Sequence, residues 1–74
     1  MIKIKVGQRI KELRKSANLS QEEFAFRCGM DRTYITSLEN GKRNVSIVNL
    51  EKIAKVFGMS LSKFFDFSNE EIKK

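Results

Sequence analysis

Gln21-Glu22-Glu23-Phe24-Ala25-Phe26-Arg27-Cys28-Gly29-Met30-Asp31-Arg32-Thr33-Tyr34-Ile35-Thr36-Ser37-Leu38 is the most telling run of the chain. Two short helices crossing at a steep angle need a small residue at their contact, a backbone free to take positive φ at the turn, and apolar anchors on the second helix. Ala25, Gly29 and the pair Ile35 and Leu38 supply these in order. The run therefore reads as helix, tight turn, helix.

The flanking residues extend the pattern. Ser20 followed by Glu23 is a capping box, which starts the first of these helices at Gln21. That helix runs to Cys28, burying Phe24, Ala25 and Cys28, and Gly29 ends it. Asp31 is placed to cap the next helix, Arg32 to Asn40, which Gly41 stops. Upstream, Val6, Ile10, Leu13 and Ala17 recur at helical spacing and predict a helix from about Gly7 to Ala17. Ile2-Lys3-Ile4-Lys5 fits either a strand-like arm or a helical start. Downstream, after a polar connection from Lys42 to Ser46, Leu50, Ile53, Ala54 and Phe57 mark a fourth helix closed by Gly58. Ser60 can cap a short fifth helix carrying Leu61, Phe64 and Phe65, and the polar Ser68 to Lys74 is expected to fray. The expectation is an all-α, compact five-helix domain spanning residues 1–74. Its helix-turn-helix covers about 20–40, and a dimerisation region covers about 50–67.

Charge narrows the function. The 74 residues carry 15 Lys+Arg and 9 Asp+Glu, a net of +6. Residues 1–43 hold ten basic and five acidic groups, and residues 44–74 hold five and four. The positive field thus lies on the half with the two crossing helices, which suits a polyanion at one end and a neutral contact surface at the other. No apolar run is long enough for a membrane, so no membrane partner is expected. Met1 to Val6 alternates Ile and Lys and does not read as a secretory signal, and the single cysteine, Cys28, reads as a reduced core residue. A cytoplasmic protein is expected. With no His, one Cys and no carboxylate cluster, no metal, cofactor, small-molecule ligand or enzymatic role is expected.

On a helical wheel of the second crossing helix, Ile35 and Leu38 face inward. Thr33, Thr36, Ser37 and Asn40 lie opposite, with Arg32 flanking. Such a compact polar face suits insertion into a major groove. Arg32 can bond guanine N7 and O6 together, and Thr33 and Thr36 can offer hydroxyls or meet a thymine methyl. Gln21 stands at a helix N-terminus, where N–H groups attract a phosphate. Asn40, Lys42, Arg43 and Asn44 extend from the far end and can straddle the same backbone. Tyr34 either packs with its hydroxyl on a phosphate or packs only. Arg14 and Glu39 flank the apolar stripes of their helices, as an ion pair beneath the reading helix or as two exposed charges. Phe26 points away from Phe24, Ala25 and Cys28 and finds no place in the core pattern. Leu61, Phe64, Phe65 and Phe67 either cap a monomer core or form a two-fold interface. The second arrangement sets two reading helices about 34 Å apart on a palindromic duplex site.

Leu19-Ser20-Gln21-Glu22-Glu23-Phe24-Ala25, Gly29-Met30-Asp31-Arg32-Thr33-Tyr34-Ile35 and Leu38-Glu39-Asn40-Gly41-Lys42-Arg43 resemble the phage-repressor/Cro-like helix-turn-helix family over roughly residues 7 to 66. In length, in Asp31-Arg32-Thr33-Tyr34-Ile35 and in Arg43-Asn44, the chain is most similar to the controller proteins of restriction-modification systems. The resemblance implies a five-helix homodimer that binds palindromic operators at its own promoter and represses or activates transcription. It implies that Gln21 touches a phosphate, that Arg32, Thr33 and Thr36 read bases, that Arg43 reaches a base, and that Arg14 pairs with Glu39. Many relatives carry Gln at the base-reading positions, where this chain has Arg32 and Thr33, so their operators do not transfer. The competing function is an antitoxin or adaptor whose main partner is another protein, bound through Phe26 or the aromatic C-terminal surface.

Overall fold

Serine hydroxyls start three of the helices. Ser20, Ser46 and Ser60 each accept the backbone N–H three residues on, from Glu23, Asn49 and Lys63. The structure, a computed structural model, describes residues 1–67. Among these it forms α1 (Ile2–Ser16), α2 (Gln21–Cys28), α3 (Arg32–Glu39), α4 (Ile47–Val56) and α5 (Leu61–Phe64). At Ser20 the capping box is complete, with the Ser20 N–H donating back to Glu23 Oε1 at 2.9 Å. Gly29 ends α2 at φ 71°, the left-handed conformation that turns the chain into α3.

Helices α1 and α2 pack on α3, α4 packs against α2, and α5 packs beside α4. Ile10, Phe24, Ile35, Leu38, Ile53 and Phe64 are fully buried. Phe24 stacks on Phe57 with ring centroids 5.1 Å apart. Gly7 lies directly against the end of α3: a Cβ built there would sit 2.2 Å from the Leu38 carbonyl oxygen. Only a residue without a side chain lets α1 cross α3 so tightly.

Several boundaries differ from the pattern reading. Helix α1 begins at Ile2 rather than Gly7, because Ile2-Lys3-Ile4-Lys5 is a helical start whose first bond runs from the Lys5 N–H to the Met1 carbonyl. Ala17 is the exposed residue beyond its end. The buried stripe instead includes two arginines, Arg9 and Arg14. Asp31 occupies the N-cap position of α3 without a side-chain cap bond, and α3 stops at Glu39, leaving Asn40 as its C-cap. The stretch 68–74, for which fraying was expected, lies outside the described residues.

Candidate nucleic-acid interface

Two anchors and a buried ion pair fix the orientation of α3. Ile35 and Leu38 insert into the core. Behind them Arg14 grips Glu39 in a two-pronged contact, Nε to Oε2 at 2.7 Å and Nη2 to Oε1 at 3.0 Å. Arg14 also donates to the Leu19 carbonyl at 2.9 Å, tying the pair to the entry of α2. Both side chains are almost wholly shielded, at 10% and 1% exposure.

With the inner side of α3 pinned, its other side faces solvent. Arg32 and Thr33 are exposed, Thr36 and Ser37 are half-buried, and the four line a shallow open groove. Gln21, across the turn on α2, joins this face. Its Nε2 donates to Glu39 Oε1 at 3.1 Å and its Oε1 accepts from the Thr36 hydroxyl at 3.0 Å. The side chain of Gln21 is thereby tied to α3, whereas the sequence suggested only a phosphate contact. At the other end, Asn40, Lys42, Arg43 and Asn44 are all exposed. The Arg43 guanidinium lies 5.0 Å from the centre of the Tyr34 ring, and the Tyr34 hydroxyl accepts from Asn49 Nδ2 at 3.1 Å. Tyr34 is thus a half-buried platform that links α3 to α4 and supports Arg43.

The aromatic group near the end of the chain divides. Phe64 is fully buried and fills the protomer's own core, so of the two roles the sequence allows this group, core cap or two-fold interface, it takes the first. Leu61 and Phe67 are half-buried, and Phe65 is exposed, meeting Phe64 and Phe67 edge-to-face at 5.3 and 6.2 Å. Ile47 and Val48 on α4 were missed as exposed apolar residues, at 69% and 60% exposure. Val48 falls opposite the Leu50, Ile53 and Ala54 stripe of its helix, and that position was readable in the sequence. Arg9 was missed as well. It donates from Nε to the Phe64 carbonyl at 2.8 Å and from Nη2 to the Lys63 carbonyl at 2.9 Å, fastening α5 to α1. Nothing in local spacing announces a contact across 55 residues.

Burial pushes the Cys28 thiol up to about 11, opposite to what a nucleophile needs. Glu23 is held below the ordinary carboxylate value by the backbone N–H and then the hydroxyl of Ser20, a capping effect. Among the described residues no group of three or more His, Cys, Asp or Glu is placed to hold a metal ion, and no helix is long and apolar enough to cross a membrane. What the face offers is two guanidinium groups, hydroxyls, amides and an ammonium group, carried by α3 and the connection that follows it.

Comparison with known proteins places this arrangement. The helix-turn-helix family model matches residues 10–64. The chain is 54% identical over 71 residues to control protein C.MunI of a Mycoplasma species, spanning 95% of this chain and 96% of that protein. It is 44% identical over 68 residues to control protein C.BamHI of Bacillus amyloliquefaciens, covering 90% and 84%. Among solved structures it is similar to the restriction-modification controller protein C.Esp1396I, determined as a tetramer in complex with its natural 35 base-pair operator. That similarity has a TM-score of 0.84 and 36% identity, and covers 100% of this chain and 97% of the other. By these matches the chain belongs to the helix-turn-helix family, alongside the control proteins C.MunI and C.BamHI.

Proposed function

We propose that the chain is a sequence-specific DNA-binding transcriptional regulator, acting as a cytoplasmic homodimer on a palindromic operator that controls its own promoter. The observation that carries the reading is the outward face of α3, a groove of Arg32, Thr33, Thr36 and Ser37 on a helix pinned from behind by the Arg14–Glu39 pair. The kinship with C.Esp1396I, solved on its operator, supports it. Arg32, Thr33, Thr36, Ser37 and Arg43 read bases in this account. Gln21, Tyr34, Asn40, Lys42 and Asn44 line the sugar-phosphate backbone, with Gln21 contributing the N-terminus of α2. The work is binding, and no catalytic role is assigned to any residue.

For the two-fold contact, Leu61, Phe65 and Phe67 remain from the aromatic group, and Ile47 and Val48 add exposed apolar surface on the same half of the chain. A domain this small gains stability by covering such surface with a second copy. Phe26, 86% exposed on α2 beside Glu22, Glu23 and Arg27, favours a second reading in which the main partner is another protein. Co-purification with the product of a neighbouring gene would support that reading.

Arg32→Ala and Lys42→Ala test the assignment on specific and random duplexes. Arg32→Ala should lose about 1–3 kcal/mol of discrimination, while Lys42→Ala should weaken all duplexes alike and lower the salt dependence by about one phosphate contact. Equal losses on both duplexes for Arg32→Ala would contradict its role as a base reader.

A further inference from the structure

We infer that Thr36 meets the major groove as a hydrogen-bond acceptor and selects a base that presents an exocyclic amino group, adenine N6 or cytosine N4. The inference rests on the DNA-binding reading and deepens it. Its basis is the placement of a single proton. The Thr36 hydroxyl oxygen lies 3.0 Å from Gln21 Oε1 and 3.0 Å from the Arg32 carbonyl oxygen, and both neighbours lie on the protein side.

The orientation of the Gln21 amide follows from its other contact. Glu39 receives Arg14 on both carboxylate oxygens and offers only acceptors, so the Gln21 group facing it at 3.1 Å is the NH2. The Gln21 carbonyl oxygen must then face Thr36. The backbone carbonyl of Arg32 is also an acceptor and nothing else. Whichever of the two takes it, the hydroxyl proton is committed to an acceptor within the protein, and the oxygen keeps its lone pairs as acceptors for the groove that Thr36 lines with Arg32, Thr33 and Ser37. In the major groove guanine N7 and O6 and thymine O4 require a donor, whereas adenine N6 and cytosine N4 supply one. Arg32, with donors only, and Thr36, facing outward as an acceptor, therefore read opposite polarities from adjacent turns of one helix.

The test is selection of duplexes from a pool randomised across one half-site. It uses the full chain, Thr36→Val, which keeps the branched shape without the oxygen, and Thr36→Ser, which keeps the hydroxyl. The full chain and Thr36→Ser should select adenine or cytosine at one position where Thr36→Val selects nothing, with the other positions shared. Replacing that base by an analogue lacking its exocyclic amino group should weaken the full chain on the order of 2- to 12-fold, the range of one neutral hydrogen bond. The same replacement should leave Thr36→Val unchanged. Identical preferences in the full chain and Thr36→Val, or a Thr36-dependent preference for guanine or thymine, would overturn the inference. Failure of the full chain to select any duplex would overturn the DNA-binding reading beneath it.

Discussion

Gly7→Ala adds one methyl group where α1 meets the end of α3, and two opposed effects decide its sign. In an open helix interior the change stabilises by about 0.8–1 kcal/mol, because alanine restricts the unfolded backbone and is the better helix former. Here the added carbon meets the Leu38 carbonyl oxygen at 2.2 Å, the Glu39 carbonyl oxygen at 3.0 Å and the Glu39 carbonyl carbon at 3.2 Å. Carbon and oxygen approach no closer than about 3.3 Å in ordinary contacts. The obstacle is backbone and cannot rotate away, so α1 and α3 must separate by roughly 1 Å along a packed contact. Overpacking of this kind costs typically 1–3 kcal/mol, and a rigid backbone obstacle belongs at the upper end. Subtracting the propensity gain leaves a net loss of about 2 kcal/mol. For a domain this small that lowers the melting temperature by about 8–16 °C. Thermal and urea unfolding followed by circular dichroism would measure it. Because Leu38 and Glu39 close α3, binding to a specific duplex should also weaken at a temperature where the variant is folded. A midpoint equal to or above that of the native chain would refute the reasoning.

Other perturbations follow from the same contacts. Arg14→Ala leaves the Glu39 carboxylate buried without its cation and should cost about 3–5 kcal/mol in urea unfolding, whereas Arg14→Met combined with Glu39→Leu should recover most of that loss. Ser20→Ala removes the cap from α2 and should cost about 1 kcal/mol by the same assay. The Glu23 value is lowered on folding, so its contribution is present above the ordinary 4.5 and lost as pH falls through the folded value; Glu23→Gln should flatten that part of an acid unfolding profile. The Cys28 thiol moves the other way, from 9.0 to about 11, so its contribution is present below pH 9 and lost between pH 9 and 11. Melting temperatures across that window should fall more steeply for the native chain than for Cys28→Ala.

What was legible in the sequence was whatever local chemistry determines. The Ser20 and Glu23 capping box, the Gly29 turn and the Ile35 and Leu38 anchors are decided within a few residues of one another, and their geometry follows that reading. Less legible were features set by distant partners. Arg9 looks like a surface residue until α5 folds back to offer its carbonyls, and Phe64 looks available for a partner until the same folding buries it. Gly7 shows helical propensity working against the residue present, a conflict that only the Leu38 carbonyl across the contact resolves. The outward face of α3 could be listed from a helical wheel. The direction of the Thr36 proton could not, because it depends on Gln21 and Glu39 arriving from two other elements.

The central claim, that α3 reads a specific duplex, is tested most directly by titrating the purified chain onto the duplex upstream of its own gene. A scrambled duplex is run beside it, each at two salt concentrations. The account predicts tight, cooperative binding to the native duplex that survives the higher salt, with weak binding to the scrambled one. Equal binding to both, erased together by salt, would contradict it.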